Sequence, residues 1–166
     1  MSKVWDYVSK NDDKLSKQVE KDPDIVMTKP EMAQYLVSTI DFKDDDIVME
    51  PCLGNGAFYD SFPVSEYNKV WCEINRDIDY LNYDGLVDYT ISNPPFVPRK
   101  LFWQFHQKAM ETTNKGIYWL VNMSSLNVFT PKRLEEMNDF NLKVDTKDLH
   151  LLDFILFIYW TLRYVF

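Results

Sequence analysis

Four consecutive residues after an apolar run carry the most distinctive chemistry in this chain. The run at 88–92 is followed directly by Asn93, Pro94, Pro95 and Phe96. The two prolines fix two successive φ angles and remove two N–H donors, so the turn is rigid and presents bare carbonyls beside the Asn93 side chain. Two acceptors beside an aromatic ring suit a planar amine. The alternative is a tight strand-to-loop turn in which Phe96 only packs.

A second turn, upstream, has the composition of a nucleotide-binding loop. Residues 50–56, with the sequence EPCLGNG, follow an apolar run, and Gly54 and Gly56 allow backbone to approach a ligand closely. Glu73 ends the next apolar run, 17 residues beyond Gly56. Nucleotide-binding α/β folds place an acid on a ribose after about 20 residues. A lone Gly-x-Gly is weak evidence, but here the glycine turn, the acid and the tetrad occur in order within 47 residues.

The elements that must position these residues alternate between strand and helix. The predicted strands are the apolar runs at 47–49, 69–72, 88–92, 117–121, 140–144 and 151–166. Periodic segments predict helices at 98–114 and 132–138. This alternation implies an α/β fold with a parallel sheet and a site at the carboxyl ends of its strands. The last strand has no helix before it and would enter antiparallel.

A further helix is predicted near the start of the sheet. Thr28 is followed three residues later by Glu31, with Pro30 in the first turn, which is typical of a capping box. The inward face of this helix would consist of Met32, Leu36 and Ile40.

Composition and charge exclude several classes of protein. Hydrophobic residues make up 46% of the 166 residues, which predicts one dense core rather than a disordered chain. The net charge of −8 excludes a broadly basic nucleic-acid coat, so a polyanion would have to bind a local patch. Cys52 and Cys72 have neither CxxC spacing nor nearby histidines, so we expect no metal site and no disulfide scaffold.

The ends of the sequence predict a cytoplasmic location. The N-terminal residues have no apolar stretch like that of a signal peptide. The apolar run at 151–166 is shorter than the ~20 residues of a membrane span and contains Asp153 and Arg163. We therefore expect no contact with a membrane.

Together, the glycine turn, Glu73 and the tetrad resemble the S-adenosylmethionine-dependent amino-methyltransferases, above all the N6-adenine DNA methyltransferases. In that family an acid-Pro-x-x-Gly-x-Gly loop wraps the methionine end of the cofactor, and an acid after the second strand holds the ribose hydroxyls. An Asn/Asp-Pro-Pro-aromatic tetrad holds the target amine. The segment 28–30 also resembles the family's N-terminal cofactor-binding segment.

The resemblance implies a fold, a domain division and a set of site residues. The fold is a Rossmann-like methyltransferase fold, with a mostly parallel sheet of the seven-stranded type and an antiparallel last strand. The domain would cover 25–166, after a polar arm at 1–24 and without a separate target-recognition domain. The implied catalytic residues are Asn93, Pro94, Pro95 and Phe96, and the implied cofactor site consists of Thr28, Pro30, Glu50, Pro51, Gly54, Gly56, Glu73 and Asp77.

One departure from the family leaves an assignment open. Only 20 residues lead from Glu73 to Asn93, where the family fits a helix, a strand and a loop. Asp77, Asp79 and Asp84 therefore compete for the adenine side of the cofactor, and the spacing favours Asp77. All three could also be solvated loop acids.

The implied activity is methyl transfer from S-adenosylmethionine to the N6 amine of adenine, with DNA favoured over RNA. The alternatives are an RNA adenine, a protein glutamine, whose amide also fits the tetrad, and a non-catalytic partner subunit. A partner protein or an oligomer could supply target recognition. Arg99 and Lys100 follow the tetrad and are either phosphate contacts or surface charge, whereas His106 and His150 are interpreted as packing or surface residues.

Overall fold

The computed structural model describes residues 27–137, 140–145 and 155–162. The predicted arm at 1–24 and His150 lie outside them. The strands are β1 (Val48–Glu50), β2 (Lys69–Trp71), β3 (Val87–Ser92), β4 (Thr113–Asn122), β5 (Phe140–Asp145) and β6 (Ile155–Leu162). The α-helices are α1 (Pro30–Val37), α2 (Ala57–Ser61), α3 (Arg99–Thr112) and α4 (Pro131–Glu136).

The strands form one mixed sheet with the order β2-β1-β3-β4-β6-β5. The first four strands in this order are parallel, and β6 runs antiparallel to both β4 and β5. Met49 at the centre of β1 is paired with Val70 of β2 on one side and Thr90 of β3 on the other. Strand β2 therefore lies on one side of β1 and β3 on the other, so the strand order reverses at β1. In open α/β sheets, ligands bind at such a reversal.

The two faces of the sheet are covered by different helices. Tyr118 and Leu120 of β4 pack with α1 and α2, whereas the alternate residues Ile117 and Trp119 pack with α3. Successive side chains of a strand point to opposite faces, so β4 contributes to two separate cores. The expected α/β class and the parallel arrangement of four strands are confirmed.

The expected sheet of the seven-stranded type is not shown, because the described residues form six strands. Between Glu73 and β3 the chain forms two short 3-10 turns, Ile74–Arg76 and Tyr80–Asn82. A parallel crossover needs a dozen or more residues before the next strand even begins. The interval 74–86 is too short for a crossover helix and a further strand.

Helix α1 begins one residue later than the capping box predicts. Its N-cap is Lys29, which has extended backbone angles and makes no side-chain capping bond, and Pro30 is the first helical residue. A residue before proline is kept out of the helical region by the proline ring, so Lys29 cannot be helical. Thr28 is therefore released from a capping role. Helix α4 is capped by Thr130, whose side chain accepts a hydrogen bond from the Arg133 N–H.

His106 is a packing residue in the core beneath α3. Its side chain is fully buried, and Nδ1 accepts a hydrogen bond of 3.1 Å from Nε1 of Trp119. The ring of Phe129 lies edge-on at 5.2 Å. Burial disfavours the charged imidazolium and lowers the pKa of His106 to about 3. His106 is therefore neutral at physiological pH and is not available for acid-base work.

The buried histidine makes stability depend on pH. The unfolded chain takes up a proton on His106 below about pH 6.5, whereas the folded protein takes it up only near pH 3. The contribution of His106 to folding stability is therefore fully present above pH 6.5 and is lost as the pH falls towards 3. Between pH 7 and pH 5, we expect the unfolding free energy of the parent to fall by about 2 kcal/mol more than that of the His106→Gln variant. Urea unfolding at both pH values measures this, and equal losses in the two proteins would contradict it.

Candidate functional site

A cavity of about 450 Å³ opens at the carboxyl ends of β1, β2 and β3. Residues from both predicted motifs line it, although they are far apart in the sequence. The sequence-predicted residues in its wall are Thr28, Glu50, Pro51, Gly54, Glu73, Asn93, Pro94, Pro95 and Phe96. The parallel strands bring these residues together because all three strands end at the same edge of the sheet.

Glu73 links the end of β2 to the glycine turn. Its carboxylate is buried, and Oε2 accepts a hydrogen bond of 2.9 Å from the Gly54 N–H while Oε1 accepts one of 3.1 Å from the Asn75 N–H. Each carboxylate oxygen has a second acceptor position, so both can still accept a bond from a ligand hydroxyl. The two backbone bonds fix the orientation of the carboxylate towards the cavity.

Gly54 gives the turn a backbone conformation in the left-handed region, which favours glycine. This residue has a φ of +49°, and a Cβ there would lie 3.4 Å from Sδ of Met27. The next residue, Asn55, donates a side-chain hydrogen bond of 3.1 Å to the Thr28 carbonyl. These contacts hold the segment 27–28 over the turn, where it forms one wall of the cavity.

Glu50 is a buried carboxyl group at the end of β1. Its Oε2 accepts a hydrogen bond of 2.7 Å from the Tyr59 N–H in the first turn of α2. Burial raises the pKa of Glu50 well above its usual range, and the negative charges of Asp60 and Glu73 raise it further. A cationic ligand in the cavity would favour the ionised form of this carboxyl group.

The tetrad after β3 forms the opposite wall of the cavity. Pro94 is buried, and Asn93, Pro95 and Phe96 are half-buried. The Phe96 ring packs edge-on against Phe102 of α3, with 5.9 Å between ring centroids. This contact fixes the aromatic plane of Phe96 beside the Pro-Pro turn, where the ring also lines the cavity.

Three sequence-predicted residues do not line the cavity. Pro30 begins α1, and Gly56 is the N-cap of α2 with a φ of +81°. Asp77 ends the first 3-10 turn in the left-handed region, with a φ of +60°, where it reverses the chain between Glu73 and Ile78. Of the three competing acids, Asp79 lines the cavity. Its Oδ1 accepts a hydrogen bond of 3.0 Å from the Leu81 N–H.

Several lining residues are absent from the sequence-based site. They are Met27, Cys52, Leu53, Asn55, Ile74, Asn75, Tyr80, Leu81, Leu101 and Phe105. Leu101 and Phe105 are one helical turn apart on α3, the spacing of residues on one face of a helix. Burial raises the pKa of the Cys52 thiol, and the charges of Glu73 and Glu50 add to this, so the thiol is protonated and a poor nucleophile.

Comparison with known proteins rests on structure, because no protein-family model and no curated protein matches the sequence. An S-adenosylmethionine-dependent O-methyltransferase from Thermotoga maritima has a TM-score of 0.57 and 16% identity, over 89% of this chain and 70% of that one. An rRNA methylase from Streptococcus thermophilus has a TM-score of 0.52 and 11% identity, over 83% and 99% of the two chains. The chain has a methyltransferase fold.

A third neighbour was solved with the cofactor. Magnesium protoporphyrin IX methyltransferase from Synechocystis PCC 6803, with bound S-adenosylmethionine, has a TM-score of 0.55 and 9% identity, over 93% of this chain and 83% of that one. The cofactor expected from the sequence agrees with these neighbours. These neighbours are named for different acceptors, so the shared fold does not select one.

No helix in the described part of the chain is both long enough and apolar enough to cross a lipid bilayer.

Proposed function

We propose that this protein transfers a methyl group from S-adenosylmethionine to the N6 amine of adenine in a nucleic acid, with DNA favoured over RNA. The main support for this proposal is that the glycine turn, Glu73 and the tetrad line one cavity. The order and spacing of these motifs resemble those of the N6-adenine DNA methyltransferases, which favours DNA. RNA is the alternative, because an rRNA methylase is among the structural neighbours.

The cavity fits the proposed cofactor. Its volume of about 450 Å³ lies within the range of about 300–1,000 Å³ that is typical of small-molecule sites. Glu73 would accept hydrogen bonds from the ribose hydroxyls, and the backbone at Gly54 would lie against the methionine end. The bound cofactor would supply a methyl group on a positively charged sulfonium, which is a good leaving group. Glu50 would complement this positive charge.

The tetrad would prepare the acceptor amine. The lone pair of an adenine amine is delocalised into the ring, so the nitrogen is a poor nucleophile until its N–H groups are held out of the ring plane. The side-chain oxygen of Asn93 and the carbonyl of Pro94 would accept these two N–H groups. Catalysis would then consist mainly of positioning and electrostatics, without a strong general base.

Phe96 would hold the target base in the cavity. The N6 amine of a paired adenine is inside the duplex, so the base must flip out, at a cost of a few kcal/mol. Stacking on an aromatic side chain offsets about 1–3 kcal/mol of this cost. The Phe96 ring is already fixed by Phe102, so little side-chain entropy is lost on binding.

The direct test uses S-adenosylmethionine with a labelled methyl group. The protein is incubated with unmethylated DNA, total RNA and a protein pool, and the products are hydrolysed and analysed. We expect N6-methyladenine in the DNA fraction. Label in RNA adenine or in protein glutamine would show that RNA or protein, not DNA, is the acceptor. Cofactor binding with no transfer to any pool would identify a non-catalytic subunit.

The three competing acids allow a matched comparison. Asp79 lines the cavity, whereas Asp77 lies in the adjoining reversal of the chain. We expect Asp79→Asn to weaken S-adenosylmethionine binding about three- to tenfold, because it removes a charge-assisted acceptor. Asp77→Asn, which tolerates the left-handed backbone, should change the affinity less than twofold. Calorimetric titration of both variants measures the difference, and a larger effect at Asp77 would restore the spacing-based assignment.

A further inference from the structure

Charge is distributed very unevenly along this acidic chain. Residues 27–88 contain thirteen acidic and four basic residues, whereas residues 97–134 contain one acidic and six basic residues. The second segment begins directly after the tetrad and includes α3 and most of α4. The segment that follows the tetrad is therefore basic in a protein whose net charge is −8, and two of its six cations, Lys108 and Lys115, are paired with carboxylates.

Four of these cations come from the start of α3 and the start of α4. They are Arg99, Lys100, Lys132 and Arg133. The first three are exposed, and Arg133 is half-buried. No carboxylate of the described residues forms an ion pair with any of the four, although Glu135 and Glu136 share α4 with two of them. Their positive charge is not neutralised within the described part of the protein.

Arg133 is held in place by packing as well as by a hydrogen bond. Its guanidinium lies over the ring of Trp103, with 4.3 Å from the guanidinium carbon to the ring centroid. Its Nη1 donates a hydrogen bond of 2.7 Å to the Val128 carbonyl. An arginine has five N–H donors, so the group can bond to the protein and still donate to a phosphate.

Trp103 connects the two helix starts. It lies one turn after Arg99 on α3, and residues at this spacing are about 5–6 Å apart at Cβ. The guanidinium of Arg133 covers the ring of this same tryptophan. Arg99 of α3 and Arg133 of α4 therefore both lie beside Trp103.

Aromatic contacts link Trp103 to the tetrad. Phe129 lies 6.4 Å from Trp103 and 5.8 Å from Phe102, and Phe102 packs against Phe96. A continuous layer of aromatic rings thus joins the wall of the cavity to the cations. Arg99 follows Phe96 by only three residues in the sequence.

We infer that Arg99, Lys100, Lys132 and Arg133 form a basic surface that binds the phosphodiester backbone of a nucleic acid beside the target base. This inference rests on the proposed function. A base in the cavity next to Phe96 leaves its flanking phosphates outside the mouth, on the side where the basic surface lies. Phosphate contacts fix the register of the strand without reading its sequence.

The experiment measures nucleic-acid binding, so its result does not depend on methyl transfer. The variant carries Arg99→Gln, Lys100→Gln and Lys132→Gln, and Arg133 is kept because it also packs on Trp103. Lys43→Gln is the control for charge, since Lys43 is exposed at the opposite edge of the sheet, just before β1. Duplex DNA, single-stranded DNA and single-stranded RNA are titrated with each protein at several salt concentrations. Thermal unfolding and S-adenosylmethionine binding check that each variant is folded.

We expect the triple variant to bind each phosphodiester probe at least tenfold more weakly, with unchanged cofactor affinity. The slope of log K against log salt should fall by about 0.9 for each lost phosphate contact with duplex DNA and by about 0.7 with single strands. Lys43→Gln should leave the slope unchanged. Equal slopes in the parent and the triple variant, or an equal effect of Lys43→Gln, would overturn the inference. Lost binding without any methyltransferase activity in the parent would refute the proposed function and leave the basic surface standing.

Discussion

Asn93→Ala is expected to lower the rate of methyl transfer by about 10²-fold or more while cofactor affinity stays within twofold of the parent. The Asn93 oxygen would accept an N–H most strongly as the amine nitrogen becomes tetrahedral, so its loss acts on the transition state. Deleting one donor of an oxyanion hole has an effect of this size. Single-turnover methylation of the preferred nucleic acid, with parallel calorimetric titration of S-adenosylmethionine, measures both quantities.

Asn93→Asp is the matched control for this variant. An aspartate keeps an acceptor oxygen at the same distance from the backbone, and the N6-adenine methyltransferases that the sequence resembles have either residue before the two prolines. We expect the Asp variant to retain much more activity than the Ala variant. If Asn93→Ala methylates at the parental rate, the tetrad is only a structural turn and the proposed mechanism is wrong.

Glu73→Ala is expected to weaken S-adenosylmethionine binding by tenfold or more. A carboxylate that accepts two ribose hydroxyls makes charge-assisted hydrogen bonds, which contribute about 1.5–3 kcal/mol. The same substitution also removes the acceptor of the Gly54 and Asn75 N–H groups, so the glycine turn itself becomes less ordered. Both effects weaken the cofactor site, and calorimetry measures their sum.

Two controls separate these effects. Glu73→Gln keeps one acceptor oxygen for the backbone and removes the charge, so we expect an affinity between those of the parent and the Ala variant. Glu111→Ala removes an exposed acid near the far end of α3 and should leave affinity unchanged. Unchanged affinity in Glu73→Ala would move the ribose contact to another residue, with Asp79 as the next carboxylate to test.

The convergence of the two motifs follows from local sequence. The apolar runs that become β1, β2 and β3 each end in the turn or the acid that carries the chemistry, and the three strands are parallel although 3-10 turns, not a helix, join β2 to β3. Parallel strands end at one edge of the sheet, so the glycine turn, Glu73 and Asn93 had to meet there. The lengths of the apolar runs and the composition of the turns are sufficient to predict where these residues meet, because both are properties of residues that are neighbours in the sequence.

The start of β4 was decided by contacts that are distant in sequence. The pattern predicts a helix to 114 and a strand at 117–121, but α3 ends at Thr112 and β4 begins at the next residue. Lys115 forms ion pairs with Asp46 and Asp88, the latter at 3.1 Å, and the Thr113 hydroxyl bonds to that of Thr90 at 2.6 Å. These partners extend the strand beyond its apolar run.

Tertiary structure also decided which acid faces the cavity and what the basic surface contains. Asp77 and Asp79 have the same chemistry two residues apart, and the left-handed turn at Asp77 leaves Asp79 in the wall. Arg133 is 34 residues from Arg99 in the sequence, and the fold places both beside Trp103. The sequence by itself determined the strands, the turns and the edge at which they meet, because these depend on local periodicity and backbone angles. Packing decides the direction of a side chain in a short turn and the contacts between residues of separate helices. This packing forms only when the helices cover the sheet.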